Sequence, residues 1–308
     1  MKSQARVAVA SRSFSKHHIL RAELLSRFEN VTFNDAGKSL SEQELIAFLR
    51  GHERAITALE TINAEILSEL PELKLISKYG VGTDMIDKDA LKKFGVHLSW
   101  TPGVNRRSVS ELALCFMILM LHKAASANQE VRSGVWKQSV GLQLTGKTVG
   151  ILGCGNVGQD LIRLLAPFDC PTQIHDIEMR NDVCEKFGVA QVSLEELLAE
   201  SDIVSVHVPL DNTTRGLLSE EKLFSMKKGA VLINLARGGI VDEVALKACL
   251  KSGHISGAAF VVFESEPPQD HELLKLPNFF ATPHIGGSAE EAILAMGRSA
   301  IQGLEIVG

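Results

Sequence analysis

The chain has 308 residues, 45% hydrophobic and 22% charged, which is enough for a full core and suggests about two domains. Its net charge of −5, with both signs interspersed, argues against a nucleic-acid partner or an anionic membrane surface. The opening MKSQARVAVASRSF lacks the apolar core of a signal peptide, and the longest apolar run, residues 112–121, is about half of the ~20 residues a membrane span needs.

Residues 6–10 read as a short strand, and residues 19–28 carry apolar side chains at helical spacing. Ser41 and Glu44 form a capping box that opens a helix through Leu45, Ile46, Phe48 and Leu49. Residues 55–59, 73–77 and 96–100 read as further strands. Alternation of strand and helix over the first hundred residues is the pattern of a parallel α/β domain. Thr101-Pro102 breaks it. Ser108 and Glu111 then read as a capping box for an apolar helix that reaches Leu121, buried on all sides, and Trp136 falls in a polar connector.

Residues 148–152 are an apolar run the length of a buried strand. Gly153, Gly155 and Gly158 follow at the spacing G-x-G-x-x-G, and a helical pattern starts at once. A dinucleotide needs this order, because its pyrophosphate must approach bare backbone at a helix N-terminus, where unpaired amides and a partial positive charge favour an anion. Residues 172–175 read as the next strand and Asp176 ends it. A carboxylate there accepts hydrogen bonds from the ribose of NAD and repels the 2′-phosphate of NADP, with Arg180 near enough to soften the preference.

The five cysteines, Cys115, Cys154, Cys170, Cys184 and Cys249, are scattered and lack metal-ligand spacing. They predict reduced thiols in a cytoplasmic protein and no metal site, with Cys154 a small filler in the glycine loop. Ser193 and Glu196 cap a helix, residues 203–208 form a strand, and Ser219 starts a helix. Residues 230–234 read as a strand, 244–250 as a helix, and 258–263 and 279–281 as strands. Thr282-Pro283 repeats the earlier break, and Ser288 with Glu291 caps a last helix. The two Thr-Pro crossings bracket the glycine loop, which predicts a dinucleotide domain inserted into a domain built from both chain ends.

Three segments at strand ends carry chemistry. Arg237, among small residues in NLARGGIVDE, offers a planar fork that can grip a carboxylate. Glu266 lies in FESEPP, and His284 sits between proline and a glycine pair in TPHIGG. Singly, each reads as a surface or structural residue. Together they belong to the edge of one sheet where α/β proteins bind ligands, beside the cofactor, and they favour hydride transfer.

The words KYGVGTDMID, TPGVNRRSVSEL, GKTVGILGCGNVG, VHVPLDNTTRGLL, INLARGGIVDE, VFESEPP and TPHIGG run in order from residue 78 onward. In them the chain resembles the D-isomer-specific 2-hydroxyacid dehydrogenases, especially the phosphoglycerate-dehydrogenase-like branch. The resemblance implies an α/β fold of two Rossmann-like domains with parallel sheets and the active site in the cleft between them. It implies a substrate domain of residues 1–100 and 283–308 and an inserted NAD-binding domain of residues 101–282. His284 is then the general acid/base, Glu266 pairs with it and favours its imidazolium form, and Arg237 binds the substrate carboxylate. The backbone at Val81 and Gly82 also holds that carboxylate, and His284 and Arg237 face both substrate and cofactor. NAD contacts are implied for Gly153, Gly155, Asn156, Val157, Gly158, Asp176, Val208, Pro209, Thr213, Ala236 and Gly286. The implied protein is an NAD-dependent oxidoreductase that interconverts a D-2-hydroxyacid and its 2-oxoacid, a homodimer whose interface includes the apolar helix.

Two departures stand out. Where the family usually has an aspartate that holds the nicotinamide carboxamide, residues 258–263 read AAFVVF with Val261 in its place. This predicts weaker nicotinamide positioning and lower activity, since hydride transfer depends on a near-attack geometry. Where phosphoglycerate enzymes place an arginine after an early strand, the chain reads Ala58-Leu59-Glu60, with Arg54 before it and Lys78, Arg106 and Arg107 as candidate anion contacts. A phosphoglycerate-like substrate would lack its usual partner, and the chain ends at Gly308, short of the regulatory domain some of those enzymes append. Two other readings share the fold. A formate- or phosphite-type dehydrogenase is disfavoured because formate enzymes typically carry glutamine where Glu266 stands. An NAD-sensing, corepressor-like binding protein is favoured by Val261 and disfavoured by the lack of low-complexity arms.

Overall fold

The structure, a computed structural model, describes residues 2–306. The chain divides into two compact units, one of the residues up to Asn105 together with those from Glu290 onward, the other Arg106–Ala289.

The first unit is built on strands β1 (Ser3–Val9), β2 (Phe28–Phe33), β3 (Arg54–Thr57), β4 (Leu75–Lys78) and β5 (His97–Ser99). They form one parallel sheet in the order β2-β1-β3-β4-β5. Side chains alternate along each strand, and both faces are apolar. Val7, Val9, Ile56 and Leu75 join one core with Phe14, Leu20 and Leu24, while Ala8, Ala55 and Ile76 join another with Leu45, Leu49 and Leu67. The first of these cores is completed by the helix Glu290–Gly303 through Met296, Ala300 and Ile301. That helix lies close on the sheet. Ser77 Oγ donates to the Ala300 carbonyl at 2.7 Å, and a Cβ on Gly303 would overlap the hydroxyls of Ser77 and Ser99.

The second unit contains β6 (Val149–Leu152), β7 (Thr172–His175), β8 (Ala190–Gln191), β9 (Ile203–Val206), β10 (Val231–Asn234), β11 (Gly257–Phe260) and β12 (Phe279–Ala281). All pair in parallel, in the order β12-β11-β10-β9-β6-β7-β8. The connections reverse direction between β6 and β9, so the crevice where α/β sheets take dinucleotides opens at the C-terminal ends of those two strands. One face is covered by the helix Arg106–Leu121, whose Val109, Ala113, Phe116 and Met117 pack on Val149, Ile151, Ile233 and Ala259.

Several sequence expectations change. Phe28–Phe33 is an edge strand that the sequence pattern does not reveal, and Phe28, expected in the preceding helix, is its first residue. Phe28 caps His18–Arg27 and enters the strand with no turn between. Helices Ala64–Ser68, Lys88–Phe94 and Ala124–Arg132 were not anticipated. The strand readings 203–208 and 258–263 run too long. The ladder ends at Val206 and Phe260, and the remaining residues turn out as loops above the sheet. Ser108 is not a cap, because the helix already begins at Arg106. Nor is that helix buried on all sides. Leu112, Leu114 and Ile118 are half-buried and Cys115 is exposed. No single helix among the described residues is long and apolar enough to cross a membrane.

Candidate active site

Each glycine of the loop after β6 has its own reason. Gly153 has φ +95°, and a Cβ there would lie 2.8 Å from the backbone of His207 and from Val208. A Cβ on Gly158 would overlap the Gly153 carbonyl, so the helix Asn156–Leu165 can start this close to the turn only without a side chain. Gly155, the N-cap, has open space where its Cβ would be. Bare backbone facing open space, at the N-terminus of a helix that starts with Asn156 and Val157, is a cradle that fits a pyrophosphate.

Asp176, directly after β7, closes this loop. Its Oδ2 accepts from the Cys154 amide at 2.8 Å, and its Oδ1 accepts from the Glu178 amide at 3.1 Å. Burial alone would raise the Asp176 carboxyl, but the Glu178 and Cys154 amides and the Arg180 guanidinium outweigh it and hold it below the usual range. Arg180 also reaches Glu178 at 2.9 Å, so its charge is shared between two carboxylates. Ionised and facing the cradle, Asp176 suits ribose hydroxyls and opposes a further phosphate. Burial, with the Asp176 charge beside it, pushes the Cys154 thiol up to about 11, which keeps it a protonated filler.

Across the crevice, His207, Val208 and Pro209 follow β9. Burial pushes the His207 imidazole down to about 4, and its Nε2 lies 2.8 Å from Ser205 Oγ, so it is neutral and engaged with the sheet. Thr213 belongs to a turn closed by Asp211, whose Oδ1 accepts from the Thr213 amide at 2.7 Å.

The next three strands each deliver one of the residues singled out for chemistry. Because β10, β11 and β12 are parallel neighbours, their C-terminal loops stand side by side. After β10, buried Asn234 shapes the turn. Its Oδ1 accepts from the Ala236 amide at 3.1 Å, and its Nδ2 donates to the Arg237 carbonyl at 3.0 Å. A Cβ on Gly238 would overlap the Phe263 carbonyl, so the Arg237 loop touches the loop after β11. That second loop is tied down twice. The Glu264 amide donates to Glu243 Oε1 at 2.8 Å, and the Phe263 amide donates to Glu266 Oε1 at 3.2 Å. Glu266 then meets His284 of the loop after β12, with His284 Nδ1 3.0 Å from Glu266 Oε2 and both side chains still open to solvent. With the Nδ1 proton shared with a carboxylate, Nε2 is the nitrogen left to exchange a proton with a ligand. Gly286 is buried, and its carbonyl accepts from Ser108 Oγ at 2.7 Å.

Val81 and Gly82 belong to the other unit, on the loop after β4, where the Val81 carbonyl accepts from Trp100 Nε1 at 2.7 Å. In that unit the loop after β3 holds a carboxylate, since Glu60 Oε2 accepts from the Ala58 amide at 2.5 Å. Lys78 Nζ donates to the Ala58 carbonyl, and Arg54 donates to the Leu304 carbonyl. Asn234, Glu243 and Ser108 were missed as supports. The one available signal was a polar residue closing an otherwise apolar strand at Asn234. Among the described residues no group of His, Cys, Asp and Glu is arranged to hold a metal.

A family model for the D-isomer specific 2-hydroxyacid dehydrogenase, NAD binding domain, matches residues 114–286. The D-3-phosphoglycerate dehydrogenase of Archaeoglobus fulgidus is 37% identical over 262 residues, covering 84% of this chain and 50% of that protein. The glyoxylate reductase of Thermofilum pendens is 38% identical over 273 residues, covering 86% of this chain and 80% of that one. A solved structure from Polaromonas sp. JS6 66, of a protein assigned to the same dehydrogenases, matches with TM-score 0.90 at 30% identity, covering 98% of this chain and 96% of that one. The chain spans about half the length of the phosphoglycerate relatives it matches.

Proposed function

The chain belongs to the D-isomer specific 2-hydroxyacid dehydrogenases, with an NAD-binding domain, and on that footing we propose that it is an NAD-dependent oxidoreductase interconverting a D-2-hydroxyacid and its 2-oxoacid. The observation that carries the reading is the 3.0 Å pairing of His284 with Glu266 on the same sheet edge as the glycine cradle. NAD, when bound, supplies or accepts the hydride. His284 Nε2 gives the proton to the carbonyl oxygen, or takes it back in the reverse direction, while Glu266 fixes the ring. Arg237 grips the substrate carboxylate and draws charge from the carbonyl, with the Val81 and Gly82 amides assigned to the same carboxylate. Asn156, Val157, Val208, Pro209, Thr213, Ala236 and Gly286 complete the cofactor assignment. Substrate recognition is assigned to the first unit.

The Glu60 carboxylate at the end of β3, with Arg54 engaged at Leu304, favours an oxoacid without a phosphate. NADH oxidation over a panel of small 2-oxoacids, including glyoxylate and the oxoacid of 3-phosphoglycerate, tests this. Turnover of none by folded protein that binds NADH would overturn the dehydrogenase reading and favour an NAD-sensing binding protein. Replacing Asp176 with alanine is expected to weaken NADH roughly tenfold and to narrow the discrimination against NADPH. An unchanged ratio of the two dissociation constants would count against the assignment of Asp176.

A second copy of the chain is the partner we propose. The half-covered helix Arg106–Leu121 leads to a segment in which Val135, Val140 and Leu142 are exposed and Trp136 is 88% exposed, a run of open apolar side chains that a second copy could cover. Equilibrium sedimentation should return twice the chain mass, and a monomer at micromolar concentration would refute the dimer. Free thiols at all five cysteines fit a cytoplasmic location.

A further inference from the structure

The first turn of the helix Arg106–Leu121 reaches two loops that are distant in sequence. Toward the cofactor cradle, Arg107 Nη2 donates to Asp160 Oδ1 at 3.0 Å, and Ser110 Oγ lies 3.2 Å from the Val157 carbonyl. Both partners belong to the helix that begins at the glycine loop. Toward the histidine loop, Ser108 Oγ donates to the Gly286 carbonyl at 2.7 Å and accepts from the Ala289 amide at 3.4 Å. Gly286 also rests on Val109, whose methyls lie 3.7 and 3.9 Å from where its Cβ would be. The Ser288 amide closes the same loop onto the Ile285 carbonyl at 2.9 Å.

We propose that Ser108 is a positioning residue for His284. It acts through the Gly286 carbonyl, holding the backbone of the histidine loop while Glu266 holds the ring. The inference rests on the reading of His284 as the acid/base. Glu266 bonds the imidazole from the loop after β11, so the ring is correctly aimed only if its own loop keeps a fixed height above the sheet. The hydroxyl of Ser108 sets that height by donating to one backbone group and accepting from another through a single oxygen, which threonine can also do. The same helical turn braces the cradle through Arg107, so cofactor loop and proton donor share one support.

Ser108→Ala and Ser108→Thr test the assignment, assayed with NADH and the best 2-oxoacid. Loss of the hydroxyl is expected to lower kcat roughly tenfold, since small misplacements of a catalytic group are costly, while the dissociation constant for NADH stays within about twofold. Threonine should restore most of the rate. Hydrogen exchange at amides 284–289 should quicken in the alanine variant, with the helix Asn156–Leu165 unchanged. Unchanged kcat and unchanged exchange would overturn the proposal. So would a parallel loss of rate, NADH affinity and melting temperature, which marks a merely structural serine. If the native protein turns over no 2-oxoacid, the dehydrogenase reading fails by itself. The exchange arm then decides whether Ser108 holds the loop, and unchanged protection refutes it.

Discussion

His284→Gln is expected to lower kcat by roughly 10²–10⁴-fold while NADH still binds, because the side chain keeps its bulk and polarity but loses the transferable proton. The expectation follows from the pairing with Glu266 at 3.0 Å, which orients one ring nitrogen inward and leaves the other for the substrate. Steady-state kinetics with NADH titrated by fluorescence would separate the two effects. A loss in NADH affinity with unchanged kcat would move His284 from proton transfer to cofactor binding. The other described histidines at this sheet edge are engaged elsewhere: His175 Nδ1 lies 3.0 Å from the Val192 carbonyl, and His207 is held by Ser205 and kept neutral by burial to about pH 4.

Val261→Asp is expected to destabilise the protein by about 3–5 kcal/mol at neutral pH, the usual consequence of a buried, uncompensated charge. Val261 is 1% exposed and belongs to an apolar cluster with Val109, Ala113, Ile233 and Leu235. Such an acid would have its folded-state pKa raised by desolvation. The variant's deficit should therefore be least below the unfolded carboxyl range and should grow as pH rises through the raised folded value. Denaturant melts at several pH values would show this. The same variant tests the expectation, drawn from the resemblance, that an aspartate here would hold the nicotinamide carboxamide. If it gains that contact, NAD should return part of the lost stability and turnover should rise. No change in stability, NADH affinity or turnover would mean that position 261 bears on neither packing nor cofactor.

Local features were legible in the sequence because their causes are local. A positive φ at Gly153 and a missing Cβ at Gly158 need glycine, so the spacing of the loop could be read directly. The Ser41–Glu44 capping box is present because its two hydrogen bonds join residues three apart. Parallel strands end at one edge, which places β11 beside β12 and brings Glu266 and His284 together, as the family resemblance also implies. Ser108 shows the limit of that reasoning. Its spacing to Glu111 imitates a cap, yet its hydroxyl serves a carbonyl 178 residues away, and no local pattern carries that information. The apolar helix misled for a related reason. Composition reports that a face is apolar, and the chain itself covers only one side of it. Phe28–Phe33 was hidden because helix passes into edge strand without a turn residue.

The helix Glu290–Gly303 bears on how the molecule comes into being. Ribosomal synthesis delivers the chain from its N-terminus, yet Leu20, Ile56 and Leu75 lack their covering layer until this last helix has been made. The unit Arg106–Ala289 is continuous and can close on itself while translation proceeds. The order of maturation is therefore inverted. The middle segment can finish its domain first, while the earlier sheet completes the packing of one apolar face only once residues 290–303 have been made.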